Sequence, residues 1–310
     1  MNERSFQLFL QFHHGVPRKG PGTDAATAEA FRRVQPLLPP SPSILDVGCG
    51  GGAQTLVLAT LTPGRILAVD SYPPFIEELL GRIAARGLAD RVTAQVGDMR
   101  ALGLPPASVD LVWCEGALFV LGFEQGLRAL RPLLRERGVV VLTESAWLRP
   151  LEEVPSEVRA FWANAYPAMT DVEGNLALAR RAGFEPLGHF TLPTDGWAAY
   201  VDPLERQMNQ VLAANPGNPD AEEAARFERR EFRDVPRAPA LVRVRVLLAP
   251  AELRRGGGSG PLEPPTATRG RVSAIRCGAG GRVRHDPRAR GPPATPRRPP
   301  GAGSTPPPVT

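Results

Sequence analysis

Ile44-Leu-Asp-Val-Gly-Cys-Gly-Gly-Gly52 decides how the rest of this chain is read. The apolar residues around Asp46 make a short buried strand, and the glycines after it make a turn that leaves the backbone bare ahead of a helix over 53–61. Downstream the alternation repeats, with strand 65–69, helix 74–86, strands 92–96 and 109–113, helix 123–134 and strand 139–143. That pattern predicts an α/β fold, a mostly parallel twisted sheet with helices on both faces. Beyond it the sequence predicts helices over 155–166, 172–182 and 202–213 and a strand over 184–192, so the sheet should carry a helical cap. Upstream, Thr23 or Asp24 can cap a helix running to about Gln35.

In an open parallel sheet, ligands sit outside the carboxyl ends of the strands. Here each of the first five strands is followed by an acid: Asp46, Asp70, Asp98, Glu115 and Glu144. Such an edge suits a ligand with cationic and hydroxyl groups. An acid at a buried strand end is costly unless something engages it, so Asp46, Asp70 and Asp98 are read as functional. Gly48-x-Gly50-x-x-Ala53 followed by Asp70 also fits a dinucleotide fingerprint. A pyrophosphate in that turn would meet the Asp46 charge, at a cost of about 1 kcal/mol or more near 4 Å. An NAD(P)-dependent oxidoreductase is therefore the rival reading, and a ligand without phosphate is preferred.

The 310 residues, 42% hydrophobic, suffice for a sizeable core. No stretch approaches the roughly 20 apolar residues of a membrane helix, so no membrane association and no secretory signal are expected. Cys49, Cys114 and Cys277 lie far apart with no metal-ligand spacing, which predicts no metal site and a cytoplasmic setting. The net charge of +5 is uneven, because residues 233–310 hold 15 Arg against 2 Asp and 2 Glu. An acidic body with a basic tail is not a phosphate-binding domain, and nucleic acid is not an expected partner. A second rival keeps the tail in view: a non-catalytic protein that binds a cofactor or a nucleic acid. The expected division is a lid segment and helix over 1–40, a body over 41–232 (halves 41–145 and 146–232), and a Pro/Gly/Arg-rich disordered tail over 233–310. Within that tail, 241–248 alternates like a half-buried strand. Whether it stands alone or completes the sheet is open, since Arg243 and Arg245 call for a solvent-facing side.

Taken together, the motifs resemble the class I S-adenosylmethionine-dependent methyltransferases. The residues that carry the likeness are the glycine turn 44–52, Ile66-Leu-Ala-Val-Asp70, Val96-Gly-Asp-Met99, Val109-Asp-Leu-Val-Trp-Cys-Glu115 and 133–142. The resemblance implies the Rossmann-like methyltransferase fold and S-adenosyl-L-methionine as cofactor, with methyl transfer by in-line displacement to a small-molecule acceptor. It further implies that Gly48, Gly50 and Gly52 let the backbone approach the methionine part and that Asp46 organises its ammonium. Asp70 would accept the ribose hydroxyls, Asp98 the adenine amine, Met99 would offer its amide to the ring, and Tyr72 would pack on the adenine face. A narrower similarity to an uncharacterised bacterial branch of small-molecule methyltransferases rests on Phe12-His-His-Gly-Val-Pro-Arg-Lys-Gly-Pro-Gly22, Glu115-Gly-Ala117, Phe161-Trp162 and Trp197.

Two candidates could assist the acceptor chemically. Glu115 either positions or deprotonates it, or accepts hydrogen bonds from the surrounding chain; His14, with His13 beside it, either serves as a base or packs a lid. Trp162 and Tyr166, one helical turn apart, either pack the core or floor an acceptor site. The two buried-type cysteines are read as small hydrophobes. Members of the similar branch end in a strand like Ser-Tyr-Gly-Tyr-Val-Phe-Tyr, and the codons for 240–248, read one base later, can spell it. A slip of frame between about 230 and 240 is therefore expected, which would make the basic tail out-of-frame text.

Overall fold

The structure, a computed structural model, describes residues 1–193, 195–234 and 241–250. Its centre is a seven-stranded sheet in the order β3-β2-β1-β4-β5-β7-β6. The strands are β1 (Ser43–Val47), β2 (Arg65–Asp70), β3 (Val92–Val96), β4 (Val109–Glu115), β5 (Leu134–Trp147), β6 (Phe184–Thr191) and β7 (Leu241–Pro250). The first five pair in parallel, and β7 runs antiparallel to both β5 and β6. Nine helices accompany it among the described residues: α1 (Glu3–Phe12), α2 (Asp24–Val34), α3 (Ala53–Leu61), α4 (Pro73–Ala85), α5 (Phe123–Leu130), α6 (Ser156–Ala165), α7 (Val172–Arg181), α8 (Asp195–Ala214) and α9 (Pro219–Asp234).

Both sheet faces are covered, as strands with apolar residues on both sides, such as β1 and β4, require. On one face Phe31, Leu56, Ile76, Leu79 and Ile83 of α2 to α4 pack on Ile44, Ile66, Leu111 and Trp113. On the other, Phe123, Leu127 and Leu130 of α5 and Leu176 and Ala179 of α7 cover Leu45, Val112, Val140 and Leu142. A separate cluster, Phe12, Val16, Tyr200, Leu204, Met208, Ala224 and Ala225, joins α1, α8 and α9.

Four differences from the sequence reading have physical reasons. The helix expected to reach residue 134 stops at Leu130 and gives way to a 3-10 turn, Arg131–Leu133, around Pro132. The fifth strand is longer than 139–143, because β7 continues its ladder to Trp147. α8 begins at Asp195 rather than 202 and runs through Pro203, since Trp197, Tyr200, Leu204 and Met208 all bury on one face. The boundary expected at 233 does not hold. Residues 241–250 lie between β5 and β6, paired to both, so this strand is neither isolated nor part of a separate tail. A ladder is made by backbone groups, so any extended segment can supply it where two strand edges would otherwise go unpaired. The rest of the expected tail, 251–310, lies outside the described residues, as does Cys277.

Candidate active site

The glycine turn is the floor of the site. Gly48, Gly50 and Gly52 have φ of +68°, +53° and +79°, which side chains rarely tolerate. Space alone would also require glycine, because a Cβ on Gly48 would lie 2.3 Å from the Ala117 Cβ, and one on Gly52 would lie 2.1 Å from Leu79 Cδ1. The turn is tied to the next strand by the Gly48 and Cys49 amides, which donate to the Val69 carbonyl at 2.8 and 3.1 Å. At the tip of β2, Asp70 accepts from the Gly50 amide through Oδ2 and from the Tyr72 amide through Oδ1, at 2.8 and 3.0 Å. Burial nevertheless pushes its carboxyl up, the amide hydrogen bonds and Lys19 only offsetting part of that.

A cavity of about 290 Å³ opens at this point, lined among others by Gly48 to Gly51, Asp70, Gly97, Met99, Glu115 and Ala117. Its roof is the segment after α1. Arg18 reaches Glu115 at 3.3 Å and Asp24 at 2.7 Å. Lys19, the one lysine of the chain, pairs with Glu78 at 2.5 Å and donates to the carbonyls of His13 and Val16. Its stem lies where a Cβ on Gly50 would have to go. Farther along, the Gly22 amide donates to the Gly196 carbonyl at 3.1 Å.

The expected site residues divide. Gly48, Gly50, Asp70, Met99 and Glu115 line the cavity together. Asp46 is fully buried beneath the turn and does not face it: Thr55 Oγ1 and Gln54 Nε2 donate to its two oxygens at 2.5 and 3.2 Å. Burial pushes its carboxyl up to about 7, against these two donors. The repulsion expected between Asp46 and a phosphate in the turn therefore loses force, because the first turn of α3 takes up this carboxylate. Asp98 is not buried. Its side chain is half exposed, bonded to the Arg100 amide at 2.8 Å, because β3 is the edge strand and its end faces solvent. Of the three acids, Asp46 is fully buried, Asp70 half-buried and Asp98 exposed. Glu144 is likewise not at a strand end; it is buried inside β5 and accepts from the Ser145 amide at 2.9 Å.

Tyr72 and His14 pair with each other, their rings 5.5 Å apart and the Tyr72 hydroxyl 2.9 Å from His14 Nε2. Neither is in the cavity wall, so the ring expected on adenine is occupied by the residue expected as base. His13 does line the cavity. Its Nδ1 faces the Phe9 carbonyl at 2.9 Å, and its Nε2 lies 3.0 Å from the Tyr200 hydroxyl, which donates to Glu228 at 3.2 Å. Burial pulls its pKa down to about 4, so it is neutral at pH 7. Sequence reasoning missed Tyr200 and Glu228, which sit on α8 and α9 and give no motif. Glu115 also accepts from Thr27 Oγ1 and Trp113 Nε1, at 2.8 and 2.9 Å.

Residues 44–138 match the model of the methyltransferase domain family. The chain thus carries a methyltransferase domain, of the class I S-adenosylmethionine-dependent kind. A curated relative, 27-O-demethylrifamycin SV methyltransferase of Amycolatopsis mediterranei, is 26% identical over 64% of this chain and 77% of its own length. The ribosomal protein arginine N-methyltransferase rmt3 of Schizosaccharomyces pombe is 28% identical over 40% of this chain and 24% of its own. Among solved structures, a methyltransferase from Geobacter sulfurreducens in complex with S-adenosylhomocysteine superposes with a TM-score of 0.68. It is 23% identical, and the match covers 79% of this chain and 98% of that one, a likeness of fold. No helix among the described residues is long and apolar enough to cross a membrane, and no described cluster of His, Cys, Asp and Glu is arranged to hold a metal.

Proposed function

We propose that this methyltransferase acts on a small-molecule acceptor held between the glycine turn and the helical roof. The observation that carries the reading is the enclosure of the 290 Å³ cavity by α1, α8 and the segment 13–22, which leaves room for a compact molecule over Met99, Ala117 and Phe119. The rifamycin-modifying relative supports a small acceptor; the relative named for ribosomal protein matches over a shorter stretch of both chains.

The residues present fit the cofactor. A bare backbone at Gly48 to Gly51 and a half-buried carboxylate at Asp70 make a site for hydroxyls and a cation. S-adenosylmethionine supplies, when bound, a methyl group already activated on a sulfonium. Asp70 would accept the ribose hydroxyls, the Met99 backbone would face the adenine, and Asp98 would accept from its exocyclic amine. Asp46 acts through α3, holding its first turn and the glycine turn in place, and so orients the methionine end indirectly. Glu115 is a positioning residue. With Arg18, Thr27 and Trp113 on its oxygens it fixes the roof to the floor and keeps water out, which sharpens the approach of donor and acceptor. His13 lies in the cavity wall but has both ring nitrogens engaged, by the Phe9 carbonyl and the Tyr200 hydroxyl, so it shapes the wall and takes no proton from the acceptor. The lid over 1–40, the cofactor half over 41–145 and the cap beyond it then act as roof, floor and acceptor wall.

A screen of cell metabolites with radiolabelled methyl donor tests this, with Asp70→Ala as the blank. Label appearing in small molecules only with the unmodified chain is the expected result. Label appearing in protein alone would overturn the reading.

A further inference from the structure

Beyond the cofactor cavity the wall continues into a second one of about 250 Å³, and the two share Phe9 and Phe119. The second cavity is aromatic. Phe161, Trp162, Tyr166 and Phe227 close it, with Phe161 against Trp162 at 5.4 Å and against Phe227 at 5.9 Å, and Phe119 against Tyr166 at 5.9 Å. Trp162 is 6% exposed, and its indole N–H is buried without an acceptor among the described residues. A buried donor of this kind costs about 1–3 kcal/mol unless something accepts from it. The indole ring packs with Trp147, Val158 and Tyr166, and it is not part of the cofactor cavity's wall.

The aromatic cavity in turn shares Met1, Phe161, Ala165 and Phe227 with a wider mouth of about 780 Å³. Arg226, Arg229 and Arg230 of α9 stand at that mouth. Spacings of three and four residues put all three on one side of the helix. Arg226 faces Glu222 at 3.5 Å in an exposed pair, and Arg229 donates to the Asn209 side chain at 2.8 Å. The acid of the mouth, Glu223, already has partners, the Ser5 hydroxyl at 2.5 Å and the N-terminal ammonium at 3.8 Å. The mouth is thus positive, the middle mostly aromatic with the Trp162 N–H buried in its wall, and its inner end shares Phe9 and Phe119 with the methyl-transfer cavity.

We propose that the acceptor is an amphiphile with a ring-bearing apolar body and one anionic group. The body lies among Phe119, Phe161, Trp162 and Phe227 and offers an oxygen or ring face to the Trp162 N–H. The anion, a carboxylate or a phosphate, sits at Arg226 and Arg230. This rests on the methyl-transfer reading of the inner cavity, which places the nucleophile at the opposite end of the molecule from the charge.

Calorimetry on the full chain, with S-adenosylhomocysteine titrated first, tests it. The probes are 2-naphthylacetate, 2-naphthyl phosphate and the neutral 2-naphthylethanol. At least one anion is expected to bind saturably and about tenfold more tightly than the neutral compound. The exposed double variant Arg226→Gln with Arg230→Gln should erase that difference, about fivefold to tenfold for two solvent-facing contacts, while S-adenosylhomocysteine binding is unchanged. Trp162→Phe should weaken all probes that bind. Which anion binds more tightly distinguishes carboxylate from phosphate. Equal binding of anion and neutral compound, an arginine variant that keeps the preference, or no probe binding beside intact S-adenosylhomocysteine binding overturns the proposal. Anionic probe binding without S-adenosylhomocysteine binding supports the amphiphile site and overturns the methyl-transfer reading instead.

Discussion

The floor and the roof of this site are held by different chemistry. In the floor, Asp46 and Asp70 are fixed by groups from their own neighbourhood: the first turn of α3, and the amides of Gly50 and Tyr72. In the roof the polar groups meet across long chain separations, Arg18 with Glu115, Lys19 with Glu78, and His13 with Tyr200 and Glu228. Local, backbone-anchored carboxylates belong to a rigid platform. Side-chain pairs between distant segments make a cover that can come away without unfolding what lies beneath.

The comparison breaks most readily at the glycine turn. Gly52→Val would place a branched side chain at φ +79° against Leu79 and is expected to destabilise the whole chain by about 3 kcal/mol or more, measured by urea denaturation. A loss below about 1 kcal/mol would mean the floor yields more than this. Asp70→Ala should keep the fold and weaken S-adenosylhomocysteine binding by about 100-fold, since two hydrogen bonds to a charged acceptor vanish. Calorimetry showing an unchanged affinity would remove Asp70 from the site.

The roof should respond more gently. Glu115→Gln leaves the mostly buried Arg18 with the largely exposed Asp24 as its charged partner, and is expected to cost about 2 kcal/mol. Amide exchange in 13–22 should accelerate while that of β1 and β4 does not; equal acceleration in both would erase the distinction between roof and floor. The smallest effect is a pH slope. Because His13 titrates near 4 when folded and near 6.5 when unfolded, the unfolded chain gains the proton first, and stability falls as pH drops from 6.5 towards 4. Asp46, raised to about 7 from 3.8, works the other way, the folded chain taking its proton first as pH falls below 7. His13→Asn should therefore leave the Asp46 contribution exposed, so that the variant gains stability relative to the parent on acidification. Parallel pH profiles of the two chains would show that His13 is not neutral and buried.

Much of the floor was legible because its requirements are local. A glycine at positive φ, an acid ending a strand and an apolar run of five residues are each visible in a short window, and the spacing of such windows gave the parallel sheet. Asp98 shows the limit of that reasoning. It ends a strand just as Asp70 does, yet edge position exposes it, and strand order is not written in any one strand. Tyr72 and His14 show the same limit, since each was read against a ligand and they satisfy each other instead.

Alone, the sequence determined the alternation of strand and helix, the glycine turn and the carboxylate at the tip of β2, since short-range sterics and burial patterns act within a few residues. Only the tertiary structure decided which histidine reaches the cavity, that Glu115 clamps the roof, and that 241–250 enters the sheet between β5 and β6. Those outcomes depend on which distant segments become neighbours, and backbone pairing of the last strand is indifferent to the residues that supply it.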